Sequence, residues 1–245
     1  MIEYKRVEIG VWRNWLAHSH GVRKVARSSR VTPTYMIKAV LLDIDGVLVD
    51  SFDANHKFMN DLLVKAGYAG LPRETSRKYF HATMMDIIRM VTKSTSDAEV
   101  QRIWDMGNTR KVKYPLHLVT MPKDVPDTIA RLSEKYTLGL VTSRIRNGVF
   151  EYPKLAALQN YFSVNVAYED TANHKPHPEP LLFAAKQLGF SPGECVYVGD
   201  LETDLQAAKA AGMKCIICSK DFFDTADGYI QTFGGLPGEI TNLNG

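Results

Sequence analysis

Short apolar runs alternate with amphipathic stretches along most of the chain. The apolar runs that predict β-strands cover residues 37–42, 138–144, 164–168, 195–200 and 214–218. The later stretches with helical spacing cover residues 125–135, 181–188 and 204–211. Because the first run is apolar at successive positions, it is typical of a strand buried on both faces. Strands that alternate with helices predict an α/β fold with a doubly wound, parallel, Rossmann-like sheet as its core.

One segment interrupts this alternation, because it contains only helical patterns. Phe58 and Leu62 lie one turn apart, and Gly67 follows where a helix should stop. Further helical patterns fill residues 72–112 with no strand between them. We therefore expect an α-helical cap domain inserted at residues 53–121 and a core domain built from residues 36–52 and 122–245.

Charge and composition limit the kinds of partner that we expect this protein to bind. The 245-residue chain has a net charge of +3, but residues 1–35 hold seven Lys or Arg and only two Asp or Glu. The rest of the chain is slightly acidic, so we expect no nucleic-acid partner. No apolar run is long enough to span a bilayer, so we expect no membrane association. Three cysteines do not make a disulfide framework and fit a reducing, cytoplasmic location.

Residues 1–35 lack a clean helical or strand period. Their basic, acid-poor composition is typical of a targeting peptide, although they contain no secretory apolar core. A second interpretation is that they are an extension outside the native protein, because residues 12–18 and 28–34 look like the conceptual translation of a transfer-RNA gene. Met36 stands directly before the first strand, and our hypothesis is that translation begins there. A peptide from residues 1–30 in the native protein would exclude it.

Two aspartates end the first apolar run. Asp43 and Asp45 alternate with Ile44, so their carboxylates project to the same side, and Gly46 allows the chain to turn away. Two acids this close require a cation, a shared proton or an electrophile to attack. Oxygen ligands favour a hard cation, and Mg²⁺ is the common choice beside phosphate. The alternative is a simple Asp/Gly turn after a strand.

Polar side chains also follow the later strands and one loop: Thr142 and Ser143, Lys175, and Asp200 with Asp204. The carboxyl ends of parallel strands lie along one edge of a sheet, so these groups can meet Asp43 and Asp45. Together they suit phosphoryl transfer, with one carboxylate as nucleophile and another as acid and base. Simpler interpretations remain open: Lys175 as a solvated loop lysine, and Asp204 as a helix N-cap.

Four ordered motifs carry a resemblance to a known family. They are D-x-D-G-V-L-V-D-S at 43–51, V-T-S at 141–143, K-P-H-P-E-P at 175–180 and V-G-D-x-x-x-D at 198–204. The chain resembles the haloacid dehalogenase superfamily of hydrolases, in the helical-cap subgroup of phosphoglycolate phosphatases and β-phosphoglucomutases. The resemblance extends from about Met36 to the C-terminal region.

The resemblance implies a role for each motif residue. Asp43 would be the nucleophile and Asp45 the general acid and base, while Thr142 and Lys175 would bind the transferring phosphoryl group. Mg²⁺ would be held by Asp43, the backbone carbonyl of Asp45, and Asp200. Asp204 would orient Lys175 or a metal-bound water. The residues expected to border the substrate are Gly46, Thr142, Ser143, Arg144 and Lys175, and here Ser143 and Arg144 replace the Asn-Lys of many phosphoglycolate phosphatase relatives.

These observations predict a magnesium-dependent phosphatase that acts on a small phosphorylated metabolite. One rival is a sugar-phosphate mutase of the same fold. Such mutases carry a His where this chain has Asn55, and His56 comes one residue late. The other rival is a non-catalytic protein that binds a phosphorylated ligand, although every catalytic position here is filled. No motif specifies an oligomeric state or the particular ester.

Overall fold

A computed structural model describes residues 36–79, 82–220 and 223–245 of the chain. The interpretation of residues 1–35 as an extension therefore lies outside the described residues. Six strands form one parallel sheet in the order β3-β2-β1-β4-β5-β6. The strands are β1 Ala39–Leu42, β2 Thr137–Val141, β3 Phe162–Val166, β4 Cys195–Gly199, β5 Lys214–Cys218 and β6 Gly228–Ile230. The predicted doubly wound, parallel sheet is confirmed.

The described helices lie on both faces of the sheet and in the segment after β1. They are α1 Phe52–Lys65, α2 Arg73–Lys78, α3 Met84–Thr92, α4 Asp97–Asn108, α5 Val125–Ser133, α6 Arg146–Val149, α7 Pro153–Ala156, α8 Glu179–Leu188, α9 Glu202–Ala211 and α10 Leu236–Asn244. The predicted helices near residues 125–135, 181–188 and 204–211 are confirmed as α5, α8 and α9. The sequence pattern predicts no strand after residues 214–218, which is wrong, because β6 follows β5. β6 is too short, at three residues, to produce a recognisable period.

Alternation along β1 divides the core between the two faces. Val40 and Leu42 pack in one apolar cluster with residues of α5 and α10, whereas Ala39 and Leu41 pack in a second cluster with residues of α8 and α9. All four are fully buried, and each buried leucine contributes about 1.5–3 kcal/mol to folding. β1 therefore needs no polar face, which explains its continuous apolar run.

Helices α1, α3 and α4 surround an apolar cluster of their own. Met59, Leu62, Ile88 and Ile103 are among its buried members. The segment leaves and re-enters the sheet region at one point, because Asp50 and Thr120 exchange two backbone hydrogen bonds of 2.8 and 3.0 Å. This arrangement is compatible with a cap at residues 53–121, and those domain boundaries stay a prediction.

The order of the strands determines where polar groups can meet. β1 lies between β2 and β4, so the chain builds the sheet outward from β1 first in one direction and then in the other. Parallel sheets place ligands at the carboxyl edge beside such a switch in direction. Asp43 follows β1 at that edge, and its backbone amide donates to the Val198 carbonyl of β4 at 2.9 Å.

Candidate active site

A buried lysine bridges two carboxylates at this edge. Nζ of Lys175, in the loop between β3 and α8, lies 2.6 Å from Oδ2 of Asp43 and 2.7 Å from Oδ1 of Asp204. The Lys175 side chain is only 6% exposed, which excludes the interpretation of a solvated loop lysine. Three segments that are distant in sequence therefore share one ammonium group.

The charges of this cluster depend on one another. Burial disfavours the charged ammonium, but Asp204 and Asp43 outweigh it and raise the pKa of Lys175. Burial likewise raises the pKa of Asp43 to about 6, although the charge of Lys175 acts in the opposite direction. The ammonium is thus held protonated, and Asp43 depends on positive charge beside it to stay ionised at neutral pH.

Tyr197, within β4, contacts the ammonium group of Lys175 and helps to fix its position. No sequence motif indicates this role. The Tyr197 hydroxyl accepts a 2.9 Å hydrogen bond from Nζ of Lys175 and lies 3.2 Å from the Val141 carbonyl and from Oδ1 of Asp204, either of which can accept its proton. The side chain is fully buried, and burial raises the pKa of its phenol. A tyrosine within an otherwise aliphatic strand was the only signal in the sequence.

Asp204 orients Lys175, but it is not the N-cap of α9, because Leu201 holds that position and Asp204 lies in the first turn of the helix. Oδ2 accepts the backbone amides of Asp200 and Leu201, each at 3.1 Å, at the start of α9. Oδ1 accepts from Lys175. A Cβ on Gly199 would lie 2.3 Å from Cβ of Asp204, so the close approach of β4 to this carboxylate requires glycine. Both oxygens of Asp204 are therefore already used by the protein itself.

The carboxylate of Asp200 has a buried oxygen that suits a metal ion. Its Oδ1 is buried and has no hydrogen-bond partner within the described residues. Burial, reinforced by the charges of Asp204 and Asp43, raises the pKa of Asp200 to about 9. Oxygens of Asp43, Asp200 and Asp204 lie within 4.8 Å of one another. Asp204 accepts two amides on Oδ2, and both Lys175 and the Tyr197 hydroxyl lie within hydrogen-bond distance of its Oδ1. Asp43 accepts one hydrogen bond on each oxygen, from Lys175 and from the Ile44 amide, so Asp43 and Asp200 are the carboxylates with capacity for a hard cation such as Mg²⁺.

Asp45 is held by a forked contact from Arg144. Nε of Arg144 donates to Oδ2 at 2.7 Å and Nη2 donates to Oδ1 at 2.6 Å, while the Ser51 hydroxyl also donates to Oδ1. Burial raises the pKa of Asp45, but Arg144 and Ser51 together leave it below its ordinary value. Both oxygens of the carboxylate are thus occupied as acceptors.

The other predicted residues lie at the same edge. Thr142 is buried after β2, and its Oγ1 accepts the Arg144 amide at 3.2 Å. Ser143 is exposed and borders the cleft. Gly46 adopts a left-handed φ of 77° and packs against Asp200. His177 lies in the proline-rich loop, where Nδ1 accepts the Glu179 amide at 3.2 Å.

A cleft of about 220 Å³ separates this edge from the helical segment. Asp43, Asp45, Thr142, Arg144 and Lys175 line its floor. The opposite wall is largely apolar and includes Phe58, Met59, Leu71, Met84 and Ile87. The cleft therefore brings a charged, phosphate-compatible floor against a wall that excludes water from part of a ligand. None of the helices in the described parts of the chain is long and apolar enough to cross a membrane.

Comparison with known proteins gives a consistent picture. Residues 40–218 match the model of the haloacid dehalogenase-like hydrolase family. The chain is 32% identical to pyrophosphatase PpaX of Bacillus pumilus over 73% of its own length and 81% of that protein. It is 31% identical to the phosphoglycolate phosphatase of Neisseria meningitidis over 72% of its length and 77% of that protein. The fold is similar to CbbY from Rhodobacter sphaeroides in complex with phosphate, with a TM-score of 0.72, 21% identity and coverage of 84% and 100% of the two chains.

Proposed function

Since this chain belongs to the haloacid dehalogenase-like hydrolases, we propose that it is a magnesium-dependent phosphatase that hydrolyses a small phosphate monoester through an aspartyl-phosphate intermediate. The observation that carries the proposal is the bridge from Lys175 to Asp43 and Asp204, beside the unpartnered Oδ1 of Asp200. Such a bridge at a sheet edge supplies a nucleophile, a fixed cation and free metal-binding capacity in one place.

In the first step a carboxylate oxygen of Asp43 attacks phosphorus, and the bond from phosphorus to the ester oxygen breaks. The departing oxygen takes a proton from Asp45 and leaves as an alcohol; for this step Asp45 must first gain a proton, since in the free protein Arg144 and Ser51 hold its pKa below the ordinary value. In the second step Asp45 takes a proton from water, whose oxygen attacks phosphorus as the bond to Asp43 breaks. Inorganic phosphate leaves, and Asp43 and Asp45 return to their starting states.

The chain's own residues stabilise the phosphoryl group during both steps. Lys175 presents its ammonium beside Asp43, and Asp204 and Tyr197 fix the position of that ammonium. The Thr142 hydroxyl lies at the end of the neighbouring strand and can donate to a phosphoryl oxygen. Asp43, the backbone carbonyl of Asp45, and Asp200 would hold Mg²⁺, which when bound neutralises the charge of the phosphoryl oxygens.

A small substrate agrees with the size of the cleft and with the relatives. The cleft of about 220 Å³ accommodates a phosphate and a short leaving group. The relatives are named as acting on pyrophosphate and on phosphoglycolate, both of which are small. Ser143 and Arg144 border the leaving group in this proposal, and Gly46 lets the backbone approach it. Residues 53–121 would act as a cap over a core of residues 36–52 and 122–245, excluding water during attack.

The direct test measures phosphate release from a panel of small phosphate monoesters, first with Mg²⁺ and then with excess chelator. We expect turnover that chelator abolishes and added Mg²⁺ restores. Absence of release from every ester by a folded protein would overturn the proposal.

The nucleophile is tested by Asp43→Asn, which keeps the shape of the side chain but removes its nucleophilic oxygen. We expect loss of turnover by at least about 10³-fold, because covalent catalysis disappears. The melting temperature should stay close to that of the wild type, since Asn preserves the volume and Lys175 keeps its ion pair with Asp204. Turnover like that of the wild type would refute the role of Asp43.

A further inference from the structure

The guanidinium group of Arg144 is a preformed anion-binding fork inside the cleft. Two of its N–H groups hold the two oxygens of Asp45, and Nη1 donates to the Gly148 carbonyl at 3.1 Å. Its central carbon lies 5.9 Å from the ring centre of Tyr114, which backs the fork on one side. Arg144 has five N–H donors, so these contacts leave donors over. The geometry matches the paired oxygens of a carboxylate or phosphate.

A second arginine reaches the same place from the helical segment. Nη2 of Arg110 donates to the Asn147 carbonyl at 3.0 Å, and Nη1 pairs with Glu151. Asn147 and Gly148 are neighbours in α6, so the two arginines end on adjacent carbonyl groups. Both arginines line the cleft. The two guanidinium groups therefore reach neighbouring carbonyl groups of α6 in the lining of the same cleft.

The backbone of Arg110 adopts a conformation that residues other than glycine rarely adopt, as Lys93 also does at the end of α3. Arg110 follows α4 with a left-handed φ of 60°, a conformation that glycine adopts at no cost. Its amide donates to Gly107 and the Lys111 amide donates to Met106, which closes the end of the helix. Glycine would satisfy this turn, but only a long cationic side chain also reaches α6 and the cleft.

We propose that Arg144, with Arg110 beside it, binds a second anionic group carried by the leaving group of the substrate. This inference rests on the proposed phosphatase function and specifies its substrate class. The substrate is a phosphate ester whose alcohol bears a carboxylate or a second phosphate within a few bonds of the ester oxygen. The anion of the substrate takes the place that Asp45 occupies on Arg144 in the free protein.

The position of the fork follows from the contacts of Asp45. To exchange a proton with the ester oxygen, Asp45 must lie against the leaving group, and Arg144 touches both oxygens of Asp45. Arg144 therefore lies next to the leaving group as well. In the free protein, Arg144 and Ser51 hold Asp45 by donating to both of its oxygens. A substrate anion that engages Arg144 frees Asp45 for its role, so recognition and proton transfer are coupled.

The experiment compares matched two-carbon esters on the full-length protein with Mg²⁺. Ethyl phosphate has a neutral leaving group, phosphoglycolate carries a carboxylate, ethane-1,2-diol bisphosphate carries a phosphate, and phosphoethanolamine carries a cation. We expect kcat/KM for one or both anionic esters to exceed that for ethyl phosphate by about 10- to 100-fold, the usual range for charge-assisted hydrogen bonds. Phosphoethanolamine should fall below ethyl phosphate. The anionic ester with the higher kcat/KM identifies the group that Arg144 recognises.

Substitutions then test whether Arg144 causes the preference for anionic esters. Arg144→Met should lower the ratio of kcat/KM for the anionic ester to that for ethyl phosphate by about tenfold or more, mainly through KM of the anionic ester. Arg144→Lys keeps the charge but not the fork, and should lower the ratio by a smaller factor. Arg146→Met is the matched control, because Arg146 lies two residues away, is exposed and pairs with Asp170. It should leave the ratio unchanged.

The ratio separates this inference from the proposed function. Loss of Asp45 positioning would slow all esters alike and leave the ratio intact, whereas loss of anion recognition changes the ratio. Equal kcat/KM for neutral and anionic esters in the wild type, or an unchanged ratio in Arg144→Met, would overturn the inference while leaving a functioning phosphatase. No release from any ester would instead overturn the proposed function.

Discussion

Gly46 and Asp200 lie so close that a Cβ on Gly46 would be 2.0 Å from Oδ2 of Asp200. Gly46 also adopts a φ of 77°, at which other residues are strained. The glycine of the first motif therefore has two physical reasons to be there: it turns the chain after Asp45, and it leaves space for the acid of the fourth motif.

Replacing Gly46 should damage the proposed metal site more than the fold. In Gly46→Ala the new methyl group must displace the Asp200 carboxylate, so we expect the Mg²⁺ concentration for half-maximal phosphate release to rise by about tenfold or more. The αL strain should also cost about 1 kcal/mol of the free energy of unfolding. Gly189→Ala is the control, because Gly189 has nearly the same φ of 75° and nothing within 4 Å of a Cβ. Equal Mg²⁺ requirements in the two variants would contradict this explanation.

Removing the bridging ammonium should be costly for stability. Lys175→Met leaves Asp43 and Asp204 buried without their shared partner, and breaking a buried ion pair typically costs about 3–5 kcal/mol. Urea unfolding measures the loss. Lys209→Met is the control, because Lys209 pairs with Asp227 at 2.8 Å but is largely solvated, and such pairs contribute about 1 kcal/mol or less. If both variants lose a similar free energy of unfolding, the buried bridge stabilises the protein no more than an exposed ion pair does.

Tyr197→Phe removes one hydroxyl from the support of Lys175. The unfolding free energy should fall by about 1–3 kcal/mol, because buried polar groups around the hydroxyl lose a hydrogen-bond partner. Because Lys175 keeps both carboxylates, we expect kcat to fall while KM changes little. Denaturant unfolding and steady-state kinetics measure the two effects. If the variant has the stability and kcat of the wild type, Tyr197 does not position Lys175.

Stabilisation by Mg²⁺ should grow with pH. Burial raises the pKa of Asp200 to about 9 and also raises that of Asp43, so without metal the folded protein holds more protons than the unfolded chain. The contribution of Asp200 to stability is therefore fully present below pH ~4 and is lost as the pH rises towards 9. If the ionised carboxylates hold Mg²⁺ as proposed, the metal should reverse this loss.

The measurement is the melting temperature with Mg²⁺ minus that with chelator, at pH 5.5 and at pH 8. We expect a larger difference at pH 8, because at lower pH protons compete with the metal for Asp43 and Asp200. Groups far from the site contribute equally with and without metal and cancel in the difference. Asp200→Asn should abolish most of the difference. A difference that shrinks as the pH rises would contradict the assignment of these carboxylates.

The sequence by itself determined the architecture, because local physics carries that information. The apolar run of β1 predicts a strand buried on both faces, and Ala39 to Leu42 are fully buried. Gly67 follows the end of α1 with a φ of 94°, where the apolar spacing predicts that a helix stops. Parallel strands have their carboxyl ends at one edge, so the meeting of Asp43, Lys175 and Asp204 also followed from the alternation of elements.

Only the tertiary structure decided which group touches which. The fork of Arg144 on Asp45 joins residues 99 positions apart, and the bridge from Lys175 to Asp43 joins residues 132 apart. Tyr197 lies in a strand whose apolar pattern gives no sign that one hydroxyl supports a lysine. The periodicity of a sequence specifies which face a side chain occupies, whereas partners across an edge depend on side-chain reach and strand register. Those are set only when the whole core has packed.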